Sequence, residues 1–300
     1  MNEPTVKLRS LAEAAALIPD GSRVHLGGMA VHNHPMAFVR QLLRQRTTNL
    51  TVVSHVSACD VDMLIGAGRV RRLEFSYVGL EEFGTAPCFR RAAQRGDIEL
   101  SEYSEPVAFE RFACSARGMP FFVTREMFGT DLPRVNPDIK EVTDPFGSGS
   151  YHAVSAAEPD WVIIHALAGD KYGNVLFFPH RQLPEDLDLT ASRTTKNLIV
   201  TVEQVVAHER IRQLPYLNLI PRFRTTAIVE VPYGAHPFSC LHLYDQDREH
   251  LAEYAQAGRG EETFRRYMDR YVYEVPSHHA YLELIGAARL AGLRQVGGAL

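Results

Sequence analysis

The chain alternates short apolar runs with amphipathic stretches. Leu11, Ala14, Ala15 and Ile18 share one helical face and predict a helix over 8–18. After the Asp20-Gly21 turn, Arg23 to Leu26 predicts a first strand. Met36, Val39, Leu42 and Leu43 then recur at helical spacing behind Pro35, whose missing N–H suits a first helical turn. Leu50 to Val56 is a β-branched run and reads as a buried strand. Leu73, Phe75 and Tyr77 alternate as a half-buried strand would. Residues 86–95 read as a helix stopped by Gly96-Asp97, and Ile98 to Tyr103 as a strand. Residues 106–117 read as a helix running from Pro106 to Gly118, and Pro120 to Val123 is short and apolar.

Met127 to His152 contains three prolines (Pro133, Pro137 and Pro145) and three glycines, and is expected to be an irregular loop. Further strands are predicted at 161–167, 175–178, 198–202 and 227–231. Beyond Leu243 the texture changes, and 246–257, 261–272 and 278–291 read as helices rich in Tyr, Arg and Glu. Alternating strands and helices imply an α/β fold, an open, mainly parallel sheet with helices on both faces. Residues 1–242 are expected to carry it, with 243–300 a helical extension packed on the same domain. Ligands of such sheets sit beyond the carboxyl ends of the strands. The residues placed there are Gly27-Gly28, Ser54-His55, Gly79, Ser104-Glu105, Arg125 and Gly169-Asp170.

Composition narrows the class. The 300 residues are 45% hydrophobic and 23% charged, which excludes a disordered chain. A net charge of −4 argues against a nucleic-acid partner, whose binders are basic. The clusters RVRRLEF (69–75) and RFR (222–224) read as solvated arginines flanking strands. The four cysteines form no C-x-x-C pair, so metal and redox spacings are absent and reduced thiols in a cytoplasmic protein are expected. With no leader pattern and no apolar run of about 18 residues, a soluble protein without a membrane partner is expected.

The candidate chemistry starts at VHLGGMAVHNHP (24–35). Gly27-Gly28 lets backbone approach a ligand closely. The pair is not a dinucleotide fingerprint, because the third glycine of G-x-G-x-x-G is missing, and no G-K-[ST] follows. His25 lies inside a strand. His32 and His34 are close, but no acid or cysteine is placed with them, so no metal is expected; turn capping or substrate hydrogen bonding suits them better. In ELSEYSEP (99–106), Glu105 ends a strand before a helix. It reads either as a cap for that helix or as a general base or substrate-orienting group. GDKYGNV (169–175) reads as a tight turn between strands. G-x-S-x-G is absent, so Ser-His-Asp catalysis has no support.

Several pieces together resemble the α subunit of the family I coenzyme A transferases, the glutaconate type. They are Gly27-Gly28 with Pro35, Glu102-Tyr103-Ser104, Gly118-Met119-Pro120-Phe121, Gly129-Thr130-Asp131 and Asp170-Lys171-Tyr172-Gly173-Asn174. They occur in family order over about Gly21 to Val231. The resemblance implies an open α/β sheet and an obligatory β subunit, in an α2β2 or larger assembly. A β-subunit glutamate then attacks the acyl-CoA, giving a mixed anhydride and a glutamyl–CoA thioester. No cofactor is bound permanently; coenzyme A enters as acyl-CoA, and a free carboxylate is the second substrate. No E-N-G-x-x-G-type nucleophile segment occurs here, so the chain alone is expected to be inactive.

Where Glu105 stands, glutaconate-type α subunits look amide-like, with asparagine after the E-Y-S run. A related branch, the steroid ring-opening CoA-thioester hydrolases, is similar to this chain in carrying glutamate at that point. The resemblance therefore implies two roles for Glu105: substrate contact in a transferase, or base in a hydrolase. Gly27 and Gly28 are expected to line the oxyanion region, and Ser104 to contact the substrate. His32, His34, Ser54 and Gly79 are further substrate-binding candidates, and Arg125 is expected to pair with a distal carboxylate through its guanidinium fork. A third expectation is a non-catalytic ligand-sensing module of related fold. That normally accompanies a helix-turn-helix, for which residues 1–20 are too few.

Overall fold

The computed structural model describes residues 5–147 and 149–295. Ser10 and Glu13 form a capping box on α1 (Leu11–Ala15). The helix is shorter than its apolar face suggests. Residues just before it pair with the last sheet strand instead, Arg9 N–H donating to the Ile228 carbonyl at 2.9 Å. Then come β1 (Arg23–Leu26), α2 (Met36–Arg44), β2 (Leu50–Val53), the two-residue β3 (Val56–Ser57), α3 (Cys59–Gly66), β4 (Val70–Phe75) and β5 (Tyr77–Val78). The alternation read through Tyr77 stops early. β4 ends at Phe75, and Tyr77 lies in β5, 40% exposed. α4 (Pro87–Arg95) ends on Gly96 in the left-handed region, as a C-cap glycine allows. β6 (Glu99–Glu102) and α5 (Glu105–Ala116) follow.

The segment expected to be irregular carries regular elements. It contains α6 (Leu132–Val135), β8 (Ile139–Thr143) and the start of β9 (Ser150–Ser155). With β7 (Phe121–Thr124) these make an antiparallel sheet in the order β7-β9-β8. The prolines misled because all three lie outside the strands: Pro133 in α6, Pro137 before β8, and Pro145 in the turn.

The second half supplies β10 (Trp161–Gly169), β11 (Val175–Leu176), α7 (Leu183–Ala191), β12 (Leu198–Val205), α8 (His208–Gln213), β13 (Asn218–Ile220) and β14 (Thr225–Glu230). Neither α7 nor α8 is marked by apolar periodicity. The Asp170 turn links β10 to antiparallel β11, its carboxylate accepting from the Tyr172 and Asn174 N–H groups at 3.0 Å. The C-terminal helices are α9 (Arg248–Ala257), α10 (Glu261–Met268), α11 (His278–Ile285) and α12 (Ala287–Gly292). The helix expected over 278–291 breaks at Gly286, where φ is +94°.

The main sheet is parallel in the order β6-β4-β2-β1-β10-β12-β14, with β11 and β13 added antiparallel at the far end of β10. Strand residues alternate between two cores. Val24, Leu26 and Ile163 face one, shared with Phe38 and Leu42 of α2, Leu64 of α3 and Tyr254, Phe264 and Tyr281 of the C-terminal helices. Val162, Ile164 and Val200 face the other, shared with Phe112 of α5 and Leu189 of α7. This is the expected open α/β sheet with helices on both faces and a helical C-terminal region. Among the described residues no helix is long and apolar enough to cross a membrane.

Candidate functional site

Strand order reverses between β1 and β10. From β1 the chain builds outward through β2, β4 and β6; from β10 it builds the other way through β12 and β14. In a doubly wound sheet the crevice beyond the carboxyl ends at such a reversal is the ligand site. Gly27-Gly28 is the turn that leaves β1 at that point.

The turn holds a carboxylate of its own chain. Gly28 has φ +86°, a conformation glycine adopts without strain, and its N–H donates to Asp188 Oδ1 at 2.8 Å. The Gly27 N–H donates to the Ile163 carbonyl at 2.7 Å, continuing the β1–β10 ladder. A Cβ on Gly27 would overlap the Asp188 carboxylate and lie 2.8 Å from Ile164 Cγ2. The glycine pair thus makes room for Asp188; the Gly27 N–H is held by the sheet, and the Gly28 N–H is free for an oxyanion only if Asp188 gives way. Asp188 is fully buried on α7, and burial pushes its carboxyl well above the usual carboxylate range. Its Oδ2 has no hydrogen-bond partner among the described residues.

The histidines that follow take separate roles. Met29 and His32 exchange two backbone hydrogen bonds at 3.0 Å, closing a tight turn. His32 is half-buried, and its Nδ1 lies 2.6 Å from Ser239 Oγ. Burial lowers its pKa and favours the neutral imidazole. His34 is completely buried, contrary to the expectation that a substrate reaches it: its Nδ1 sits 3.0 Å from Oδ2 of the equally buried Asp60. His25 is buried inside β1 with Nδ1 2.9 Å from the Val53 carbonyl, and burial lowers its pKa to about 4.

Ser54 is buried after β2 and bonds the Ser57 hydroxyl. The Ser57 carbonyl accepts the Gly79 N–H at 3.1 Å, which ties the β2 and β4 ends together. A Cβ on Gly79 would strike the Tyr77 ring. On the neighbouring β6, Ser104 is the N-cap of α5, and its Oγ is buried without a partner among the described residues. Glu105 opens α5 and is exposed. It falls on the helical stripe of Phe109 and Phe112, which cover His55 at ring separations of 5.3 and 5.5 Å. Arg111 anchors that helix to the sheet, donating to Glu74 at 2.6 Å and to the Ser155 carbonyl at 3.0 Å.

The fold therefore gathers Gly27, Gly28, His32, Ser54, Gly79, Ser104 and Glu105 at the carboxyl ends of the strands. Arg125 stands apart. It follows β7 in the small antiparallel sheet, exposed, with its guanidinium 5.2 Å from the centre of the Tyr151 ring.

Sequence reasoning missed Asp188 and a second knot beside it. His165 Nε2 lies 2.7 Å from Glu203 Oε1, with Cys240 close by. The two residues lie on the adjacent parallel strands β10 and β12, so only a correct strand pairing could have joined them. Glu203 also accepts from the Tyr244 hydroxyl at 2.7 Å and from the Tyr233 and Gly234 N–H groups at 2.7 and 3.0 Å. Burial pushes the Cys240 thiol up. A protonated thiol beside a saturated carboxylate is poor cation chemistry. The knot fixes the 233–240 loop, whose Ser239 holds His32.

The chain is 36% identical to an uncharacterized protein of Archaeoglobus fulgidus over 97% of its own length and spans 65% of the length of that protein. It is 31% identical to one subunit of the glutaconate CoA-transferase of Acidaminococcus fermentans, covering 97% of this chain and 96% of that one. The crystal structure of that enzyme matches with a TM-score of 0.92 over the same shares. The IpdA subunit of the cholesterol ring-cleaving hydrolase of Mycobacterium tuberculosis is 29% identical over 94% of this chain and 99% of its own. The profile of the family described as Coenzyme A transferase matches residues 8–231, and the chain belongs to that family.

Proposed function

We propose that this chain is the α-type subunit of a heteromeric coenzyme A transferase that moves CoA between carboxylic acids. The observation that carries this reading is the near end-to-end likeness to a glutaconate CoA-transferase subunit. In the proposed reaction a β-subunit glutamate carboxylate attacks the thioester carbonyl of an acyl-CoA and the CoA thiolate leaves. The thiolate then attacks the glutamyl carbonyl of the mixed anhydride. This releases the first carboxylic acid and leaves a glutamyl–CoA thioester, and the second acid reverses both steps. This chain supplies the wall opposite that nucleophile. Ser104 and Glu105 contact the acyl group, and the Gly27-Gly28 turn and His32 line the crevice at the strand reversal; Arg125, apart from them in the small sheet, takes no part in this reading. The test is to purify the chain together with its β subunit, then supply acyl-CoA and reduce with borohydride. A reduced glutamyl adduct on the β subunit is the expected result, and an unmodified β subunit in an active preparation overturns the reading.

A second reading is a CoA-thioester ring-opening hydrolase with Glu105 as the base. It is favoured by the exposed carboxylate of Glu105 at the start of α5 and by the likeness to the IpdA subunit. Under this reading Glu105→Gln abolishes turnover without weakening thioester binding. Retained activity removes it. No observation favours the ligand-sensing alternative.

A further inference from the structure

α4 is a basic helix in an acidic chain. Its nine residues, PCFRRAAQR, hold three arginines and no acid, whereas the whole chain carries a net charge of −4. A cleft of about 430 Å³ opens where α4 meets the end of α9, bounded by Phe83, Thr85, Arg90, Arg91, Gln94 and Arg259, and no carboxylate lines it. That volume falls in the range of small-molecule sites.

The cleft is built from below. Gly258 lies so close to Pro87 that a Cβ there would collide with the proline ring. This approach brings the Gly258 carbonyl under Arg91, which donates to it through Nη1 and to Cys88 Sγ at 3.3 Å through Nη2. Arg91 is thereby fixed and half-buried, while Arg90 and Arg259 are exposed on either side. Neighbouring arginines are neutralised: Arg95 by Glu261 at 2.7 Å, Arg248 by Glu82 at 2.6 Å, and Arg265 by Glu262 at 3.1 Å. Arg90, Arg91 and Arg259 have no such partner among the described residues. The first amides of α4 are not available to a ligand, because Cys88 and Phe89 donate to the buried Asp62 at 3.3 and 2.6 Å. The guanidinium groups alone give the cleft its chemistry, and guanidinium forks match phosphate oxygens. The Thr85 wall also bridges back to Gly79, at the strand ends of the candidate site.

We infer that this cleft binds the phosphate groups of a phosphorylated small molecule. Two sources share that chemistry: the phosphate-bearing end of the CoA thioester, and a free nucleotide. The first rests on the proposed function; the second does not.

Calorimetric titration of the full-length chain with pyrophosphate, adenosine 3′,5′-bisphosphate and ATP tests the site directly. Saturable binding is expected, weakened about tenfold or more in Arg90→Gln/Arg259→Gln through loss of two charge-assisted contacts. Arg210→Gln/Arg212→Gln, which removes the same charge from α8, is expected to leave binding intact. No binding, or equal loss in both variants, overturns the inference. Steady-state kinetics of the complex then separate the sources. If CoA is the ligand, the cleft variant raises KM for acyl-CoA with kcat unchanged and leaves KM for acyl-pantetheine alone. If a nucleotide is the ligand, KM for acyl-CoA is unmoved while ATP binding is lost. A complex with no acyl-CoA turnover counts against the proposed function and leaves the pyrophosphate result standing.

Discussion

The Asp188 carboxyl accepts the Gly28 N–H at 2.8 Å from a position 160 residues away in sequence. It thereby ties α7 to the turn that leaves β1, where strand order reverses. Asp188 needs to accept, not to be charged, so in acid, where the carboxyl is protonated in both states, Asp188→Asn is expected to keep stability within about 1 kcal/mol. Asp188→Leu leaves the Gly28 N–H buried and unpaired and is expected to cost about 1–3 kcal/mol. The pH dependence follows from the raised folded pKa. The folded state holds a proton that the unfolded chain releases near pH ~3.9. Wild-type stability therefore falls as pH rises from there to the folded pKa, and Asp188→Asn removes that slope. Urea unfolding across the acid-to-neutral range checks both statements.

Gly27→Ala places a methyl against the Asp188 carboxylate and 2.8 Å from Ile164 Cγ2. Overpacking of this kind costs about 1–3 kcal/mol. Adding Asp188→Ala to it is expected to recover part of the loss, because the two changes share one space. A double-mutant cycle from urea midpoints measures the coupling; strict additivity would mean that the carboxylate is not what excludes the side chain.

The first half of the crevice is legible in the sequence because strand, glycine pair and Pro35 are consecutive. The second half is not. Asp188 lies in LPEDLDLTA, where the buried positions include Pro184, Glu185 and Asp188 as well as leucines, so hydrophobic periodicity does not mark the helix. His34 misleads for a related reason. Its partner Asp60 opens a different helix, and only the packing of α2 on α3 joins them. The β8–β9 hairpin was obscured by composition, since its prolines punctuate the connections rather than the strands.

Glu105→Gln is expected to be nearly silent for folding. Glu105 is exposed at the first position of α5, so what it loses is its interaction with the helix dipole, about 0.3–1 kcal/mol. Thermal or urea unfolding at neutral pH checks this. A larger loss would mean that Glu105 supports the fold beyond the helix dipole, and any fall in activity would then have a structural component.

Arg111→Met is expected to loosen α5 from the sheet. Glu74 accepts from both Arg111 and Arg23 at 2.6 Å. Burial acts to raise its pKa, but the two guanidinium groups outweigh it and hold the carboxyl below its ordinary value. With Arg23 left in place, the cost is expected near the lower end of the range for breaking a buried pair, about 3 kcal/mol. Because the folded pKa is depressed, this stabilisation is present above the unfolded glutamate pKa of about 4.3 and is lost as pH falls through the folded value. Arg111→Met should therefore narrow the stability gap between neutral and acid solution, read from urea midpoints.

The same logic isolates His34. Burial pushes the Asp60 carboxyl upward, yet the His34 imidazole beside it and the Ala58 N–H at 2.7 Å bring it below the usual range. His34→Phe keeps a ring in the site, where the His34 ring lies tilted against Phe238 at 5.0 Å, but strips Asp60 of its facing partner. A buried carboxylate left in that state costs about 3–5 kcal/mol. Adding Asp60→Asn removes the uncompensated charge while keeping an oxygen for Ala58, so His34→Phe/Asp60→Asn is expected to be more stable than His34→Phe alone. Wild type loses the Asp60 contribution as pH falls through its depressed folded pKa, and the double variant does not. Urea unfolding of the three proteins at neutral and acid pH distinguishes this from a packing effect, which would leave the two variants equally destabilised at every pH.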